Sequence, residues 1–430
     1  MSKLHIEPNS QDIEIYKYLR LYILLVIYEG VFRKWIRLTD QDIFYFARDM
    51  FIMLAILRIS TSNRFKNSPD RNIRILLVTI FAFFFGYAYL AIAVQNIPIL
   101  VVAFGFRNYS SILLLAYLCS YLQDKSKIFE TIHKSFLVSL IFQLPLVVLQ
   151  VVSAKDSFVN RTGWEIGASV FTSGEVVRPP GTFTNALGLG YYLLITFGLI
   201  LSAFLKGFET KRSANVNLVA FFMLVVISAI SGSRTVLLGL FLATFLFAIM
   251  RIKGRLNRSS TSNHVKKSSP LIAAIMSISI AYVLYKLINV INAFLFRVRY
   301  QTEGGSGTKD RVVDAVFNYN YSEMSLLGNG MGTHHQSALA LGWIEPWVEN
   351  EVSRWISELG VFGLVLILVR QFWIVFLAAS IFARNVKYVN IGPIIFIALG
   401  PFLFGGITTQ PTVQGMSAVI TLVLVFRNRI

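Results

Sequence analysis

Arginine recurs in this chain where a membrane would make it costly. Arg33, Lys34, Arg48, Arg107, Arg178, Arg234, Arg311 and Arg354 stand within apolar runs, at their ends, or in two long loops between them. A charge inside the bilayer costs about 2.5–3.5 kcal/mol or more unless it is paired or useful. Guanidinium groups offer paired donors and a permanent charge, so a set of them suits a phosphate or diphosphate held at the membrane surface. A single arginine at a helix end equally reads as a snorkelling anchor. Glu29 and Asp49 lie near Arg33 and Arg48 in depth and are placed to neutralise them. Arg178 opens the run Arg-Pro-Pro-Gly-Thr-Phe, and Arg234 follows the tight turn Ser231-Gly232-Ser233.

The acidic counterpart lies in the second long loop. Trp343-Ile-Glu345-Pro-Trp347-Val-Glu349-Asn350-Glu351 leads through Arg354 and Trp355 to Glu358-Leu-Gly360-Val-Phe-Gly363. Glu349, Glu351 and Glu358 precede or open an apolar helix. They either complement its N-terminus, or one of them is a general base tuned by burial or an arginine neighbour. The three tryptophans fit sugar stacking or an interfacial aromatic belt, and base rates favour the belt. His334 and His335, after Gly328-Asn-Gly330-Met-Gly332, are adjacent and share no helical face. No third ligand is spaced for zinc, so no metal is expected. A phosphate-binding P-loop and a dinucleotide fingerprint are both absent from the sequence, which argues against nucleotide use and leaves no cofactor to expect.

The elements that position these residues follow from composition. Of 430 residues 55% are hydrophobic and 14% charged, and mean hydropathy is +0.63. A soluble domain carries roughly 25% charge. The apolar residues gather into runs of about 17–25, each long enough to cross the hydrocarbon as a helix. Twelve spans are expected: 16–34, 43–59, 74–95, 98–121, 135–153, 185–205, 216–231, 235–250, 271–296, 355–383, 391–407 and 415–427. The fourth is interrupted at Gly105-Phe106-Arg107-Asn108 and reads as broken or re-entrant. The tenth is too long for one straight crossing. The single cysteine, Cys119, permits no internal disulfide.

The net charge of +18 would suggest nucleic acid in a soluble protein. Here the positive-inside rule explains it, and no nucleic-acid partner is expected. With both termini in the cytoplasm, the segments 1–20, 58–74, 122–135, 206–215, 251–270, 384–390 and 427–430 hold 24 of the 40 Lys and Arg. The short outer connections near 38–42, 96–97 and 408–414 hold none. The expected organisation is one polytopic all-α membrane domain over 1–430. It carries outer loops at 154–184 and 297–354 and a basic, Ser-rich cytoplasmic linker at 251–270. Outward-facing chemistry belongs in the two long loops.

Six short pieces in this order resemble the bacterial O-antigen polymerase and O-antigen ligase superfamily. They are Glu29-Gly30-Val-Phe-Arg33-Lys34-Trp35, Gly105-Phe-Arg107-Asn-Tyr109, Arg178-Pro-Pro-Gly181-Thr182-Phe183-Thr-Asn185, Ser231-Gly-Ser233-Arg234, Leu327-Gly328-Asn-Gly330-Met-Gly332 and Glu358-Leu-Gly360-Val-Phe-Gly363. The first two are similar to a subset of capsule and exopolysaccharide polymerases. The resemblance implies a multi-pass, GT-C-like glycosyltransferase of the bacterial inner membrane. Its substrate would be a polyprenyl-diphosphate-linked oligosaccharide, with membrane lipids and a chain-length-regulating co-polymerase as partners.

The resemblance also implies roles. Outer-face arginines bind the lipid diphosphate in the family, and Arg178, Arg234 and Arg311 stand at matching places. In the ligases a His-Asn pair precedes the Glu-x-Gly motif by nine residues, the His being the proposed base. Nine residues before Glu358 stands Glu349, followed by Asn350. The Asn matches, and a carboxylate replaces the His, which weakens the ligase reading and favours a polymerase. His334 and His335 are alternative bases at non-matching positions. Arg33, Arg107, Asn350, Arg354 and Glu358 complete the substrate-contact candidates. The expected reaction is metal-independent polymerisation on the outer face. The alternatives are a ligase moving finished glycan to a lipid or protein, and a transporter or flippase.

Overall fold

Apolar segments without water to solvate their backbone have one local solution here, the helix. The computed structural model describes residues 10–36, 41–61, 70–161, 172–173, 176–206, 210–231, 233–256, 325–335, 338–339, 341–345, 348, 351–383 and 411–426. These are α-helical apart from connecting segments, one short 3-10 turn and a two-residue antiparallel ladder. The helices are α1 (Ser10–Trp35), α2 (Gln41–Thr61), α3 (Arg71–Ala93), α4 (Ile99–Cys119), α5 (Ile128–Val152), α6 (Ala186–Lys206), α7 (Lys211–Ile230), α8 (Arg234–Leu256), α9 (Glu351–Ala383) and α10 (Pro411–Val425). The ladder pairs β1 (Thr172–Ser173) with β2 (Val176–Val177).

Six of the described helices are long and apolar enough to cross a membrane: α3, α4, α5, α6 over Ala186–Phe204, α7, and α9 over Glu351–Trp373. Shorter apolar stretches occupy Val236–Ala248 and Thr412–Val423. The protein is therefore an all-α, multi-pass membrane protein. The expected segments 271–296 and 391–407 lie outside the described residues, and the other ten fall on helices. α8 extends to Leu256, into the basic stretch 251–270.

Two expectations are revised. α4 runs unbroken through Gly105-Phe106-Arg107-Asn108. Gly105 is a docking surface there and Arg107 has a carboxylate partner, so neither interrupts the helix. The break falls in α9 instead, where Gly360 adopts φ 59°, ψ −138°. Only glycine takes that conformation at little cost, and the long tenth segment divides at this point.

The chain forms two compact units. The first comprises Met1–Ser139, Ser322–Leu368 and Gly405–Ile430, and the second Leu140–Tyr321 and Val369–Phe404. In the first, α4 is central and packs against α1, α2, α3 and α10. One end of this unit is tied by buried polar groups. Asp12 of α1 accepts from the backbone N–H of Gln123 (3.0 Å) and Asp124 (2.9 Å), and Lys125 pairs with Asp70 at the start of α3. These contacts secure the turn after α4. The opposite end holds the end of α1, the start of α2 and the α3–α4 link, together with the starts of α9 and α10.

In the second unit α6 packs against α7 and α8. A Cβ at Gly190 of α6 would lie 3.2 Å from Val236 Cγ2, and one at Gly239 of α8 would overlap the Leu194 side chain. Small residues thus let α6 and α8 approach closely. Gln143 and Gln150, two turns apart on α5, are both fully buried. They receive the turn before α6. Gln143 Nε2 donates to Thr182 Oγ1 (2.5 Å), and its Oε1 accepts from Thr182 N (3.2 Å). Gln150 Oε1 accepts from Gly181 N (2.8 Å), and its Nε2 donates to Gly181 O (3.2 Å) and Val159 O (3.0 Å). Gln150→Leu strands these backbone groups and is expected to cost about 1–3 kcal/mol. Thermal unfolding of the purified variant checks this, and an unchanged midpoint would contradict it.

Candidate functional site

In the first unit, three of the sequence motifs meet. The freed carbonyls where α9 breaks are taken by a loop, since Asn329 N donates to Ser357 O (2.7 Å) and Gly330 N to Glu358 O (3.1 Å). The Glu358 side chain, 1% exposed, completes the attachment. Its Oε2 accepts from Gly332 N (2.8 Å) and Tyr109 Oη (2.7 Å), and its Oε1 accepts from His334 N (3.2 Å). Arg354, one turn earlier on the same helix and 2% exposed, is close enough to act electrostatically on Glu358.

The same loop touches α3 and α4. A Cβ on Gly105 would lie 2.5 Å from Gly332 N, so backbone meets backbone without side chains between them. Gly332 itself has φ +90° and faces Val101 O and Gly105 N, which leaves room for no other residue. From α3, Tyr87 Oη donates to Leu327 O, and Gln95 Nε2, in the link that follows α3, donates to Gly328 O (2.9 Å). Seven residues, six of them on three helices and Gln95 in the α3–α4 link, therefore fix the segment 327–334. Its product is an oriented pair of histidines, each 4% exposed, with Asn329 Nδ2 3.0 Å from His334 Nε2. His334 O in turn accepts from Val348 N (3.1 Å).

Trp355 is 8% exposed and packs edge-on against Tyr109, with centroids 4.8 Å apart. That places it in the protein core, whereas an aromatic belt faces the lipid interface.

A second buried group lies in the same unit on α1, α2 and α4. Arg48, 1% exposed, is 3.3 Å from Glu29 and 3.7 Å from Asp49. Arg33 lies 3.6 Å from Glu29, and Arg107 Nε donates to Asp49. α10 joins through Gln414, which donates to the carbonyls of Arg107 (3.2 Å) and Asn108 (2.6 Å). A Cβ at Gly415 would reach within 2.6 Å of Arg48 Nη1, so this glycine admits the guanidinium. Arg33 and Arg48 thus stand beside the carboxylates Glu29 and Asp49 that their depth pointed to, and Arg107 joins the network through Asp49.

In the second unit, the turn held by Gln143 and Gln150 carries Arg178. Arg178 is half-buried, and its Nε makes no hydrogen bond among the described residues. Asn185 Oδ1 caps α6 by accepting from Gly188 N (3.0 Å). One turn into α6, Gly190 sits against Ser233 and Val236, so α6 and α8 begin side by side. Arg234 is the first residue of α8. The Arg178 turn and the start of the Arg234 helix therefore share one end of this unit, and helix N-termini add partial positive charge there.

Glu349, Asn350 and Arg311 lie outside the described residues. Sequence reasoning missed Tyr87, Gln95, Gln143, Gln150 and Gln414. The only signal available was an amide or hydroxyl inside an otherwise apolar run, which needs a partner in lipid. No protein-family model matches the chain, and a search of curated proteins finds no match.

Proposed function

We propose that the protein is a metal-independent glycan polymerase of the bacterial inner membrane. It transfers a growing glycan from polyprenyl diphosphate to a sugar hydroxyl of the next lipid-linked repeat unit. The observation that carries this reading is the juxtaposition, in the second unit, of the Arg178 turn with the start of the Arg234 helix. It supplies a cationic end, backed by two helix N-termini, of the kind a leaving diphosphate needs. The twelve-span arrangement with both termini cytoplasmic turns the loops 154–184 and 297–354 outward, where lipid-linked units are joined.

In this mechanism the acceptor oxygen attacks the anomeric carbon as the carbon–oxygen bond to the diphosphate breaks, with inversion. Glu349 takes the hydroxyl proton and later releases it to water. Arg178, Arg234 and Arg311 receive the charge that grows on the departing diphosphate. His334, His335, Asn350 and Arg354 are the candidates for contact with the acceptor. No nucleotide enters the reaction, because the diphosphate-linked donor already carries the leaving group.

Reconstitution tests the reading. Purified protein is mixed with a lipid-diphosphate-linked repeat unit from its own host, without nucleotide sugar and with EDTA. A ladder of products on a gel is expected. Unchanged monomer beside folded protein would overturn the polymerase and direct attention to ligase and flux assays.

A further inference from the structure

Glu358 has the position of a substrate ligand in the motif but the surroundings of an anchor. Its two oxygens accept three hydrogen bonds, from Tyr109 Oη, Gly332 N and His334 N. It is almost completely buried, and the loop it holds lies over it. Its backbone carbonyl accepts from Gly330 N as well. Three of the roughly four lone-pair sites of this carboxylate are engaged within the protein, and at 1% exposure burial keeps the remaining one from a sugar hydroxyl. The hydrogen-bond path continues along the chain. Glu358 holds His334 N, His334 O holds Val348 N (3.1 Å), and Glu349 is the next residue in the chain.

We propose that Glu358, with Tyr109, is a positioning residue that sets the register of the segment 328–335 and, through His334, of Val348. This inference rests on the polymerase reading. It assigns Glu358 no contact with substrate. It explains why Glu358, Tyr109, Gly332 and Gly105 form one contiguous contact though they come from three separated motifs. It also implies that the break at Gly360 is functional. An unbroken α9 would use the carbonyls of Ser357 and Glu358 within its own ladder, and the loop would lose two of its attachments.

Two variants and two readouts test it. Glu358→Gln turns one acceptor oxygen into an N–H₂ facing donors, and Tyr109→Phe removes a single hydroxyl. Both are expected to lower kcat with little change in KM for the lipid-linked unit. The loss should be on the order of 100-fold for Glu358→Gln, the scale of a misplacement of about 1 Å, and smaller for Tyr109→Phe. The shape of the pH–rate profile should stay as in the unaltered protein, because the proton acceptor remains. Amide hydrogen exchange of 328–335 and 348 should rise in both variants, which needs no turnover. A raised KM at unchanged kcat, or a lost acidic limb of the profile, would make Glu358 a substrate or proton-transfer group and overturn the proposal. Unchanged exchange would overturn it whatever the activity. An unaltered protein that makes no polymer would instead sink the polymerase reading, and the exchange data would still report whether Glu358 holds the loop. If Glu358→Gln fails to fold, Tyr109→Phe carries the same comparison.

Discussion

Arg178→Ala is expected to slow polymer synthesis by about 10²–10³-fold at saturating lipid-linked substrate. That is the usual loss when one preorganised donor to developing charge is removed. The turn that carries Arg178 is locked by two buried glutamines, so the guanidinium is presented on a fixed backbone. Its buried Nε is not engaged by any described residue, so the alanine variant leaves no described partner of that atom stranded. The loss should therefore appear in turnover and leave folding unchanged. Arg178→Lys should recover only part of the rate, because an ammonium lacks the planar fork that pairs with two phosphate oxygens. Arg234→Ala is expected to behave alike, and the double variant to lose less than the product of the two, since the residues act on one group. Initial rates of ladder formation give the answer. If Arg178→Ala elongates at the normal rate, the diphosphate does not leave from this turn.

Asp49→Asn tests the other cationic assembly, with the opposite signature. Asp49 receives Arg107 and lies beside Arg48, and all three are buried among α1, α2 and α4. Removing one member of a buried charge pair costs about 3–5 kcal/mol, mostly through the charge left behind. The expected result is a large fall in thermal stability of the purified protein, before any question of turnover. Glu130→Gln is the control. Glu130 pairs with Lys134 on the surface, with side chains 54% and 66% exposed, and such an i,i+4 pair contributes about 0.3–0.5 kcal/mol. Similar melting for Asp49→Asn and Glu130→Gln would mean that the buried network is not what holds these helices.

Helix existence was legible because apolar runs of membrane length leave the backbone no alternative. The pairing of Glu29 and Asp49 with Arg33 and Arg48 was legible from depth alone. What composition and spacing left hidden was contact between distant segments. Gly105 reads as a helix breaker in isolation, yet its missing side chain is what lets Gly332 dock. Glu358 reads as a ligand from its motif, yet its oxygens face Tyr109, 249 positions earlier in the chain. Gln143 and Gln150 look like isolated polar residues in a span until the turn at 181–182 lies against them. In each case the local preference was readable, and the partner that gives it meaning was set by packing.

The separation between Tyr109 and Glu358 bears on how the protein is made. A ribosome adding about 5–20 residues per second delivers Glu358 roughly 12–50 seconds after Tyr109. Throughout that interval α4 sits in or beside the translocon without its final loop, and Arg107 is among its residues. Asp49 has already emerged, 58 positions earlier. The carboxylate on α2 is thus the first partner available to an arginine that would otherwise oppose insertion of its helix. Gln414, 307 positions later than Arg107, joins the assembly last. The order in which partners leave the ribosome matches the order in which the charge needs shielding, so one ion pair serves biogenesis before it serves the finished fold.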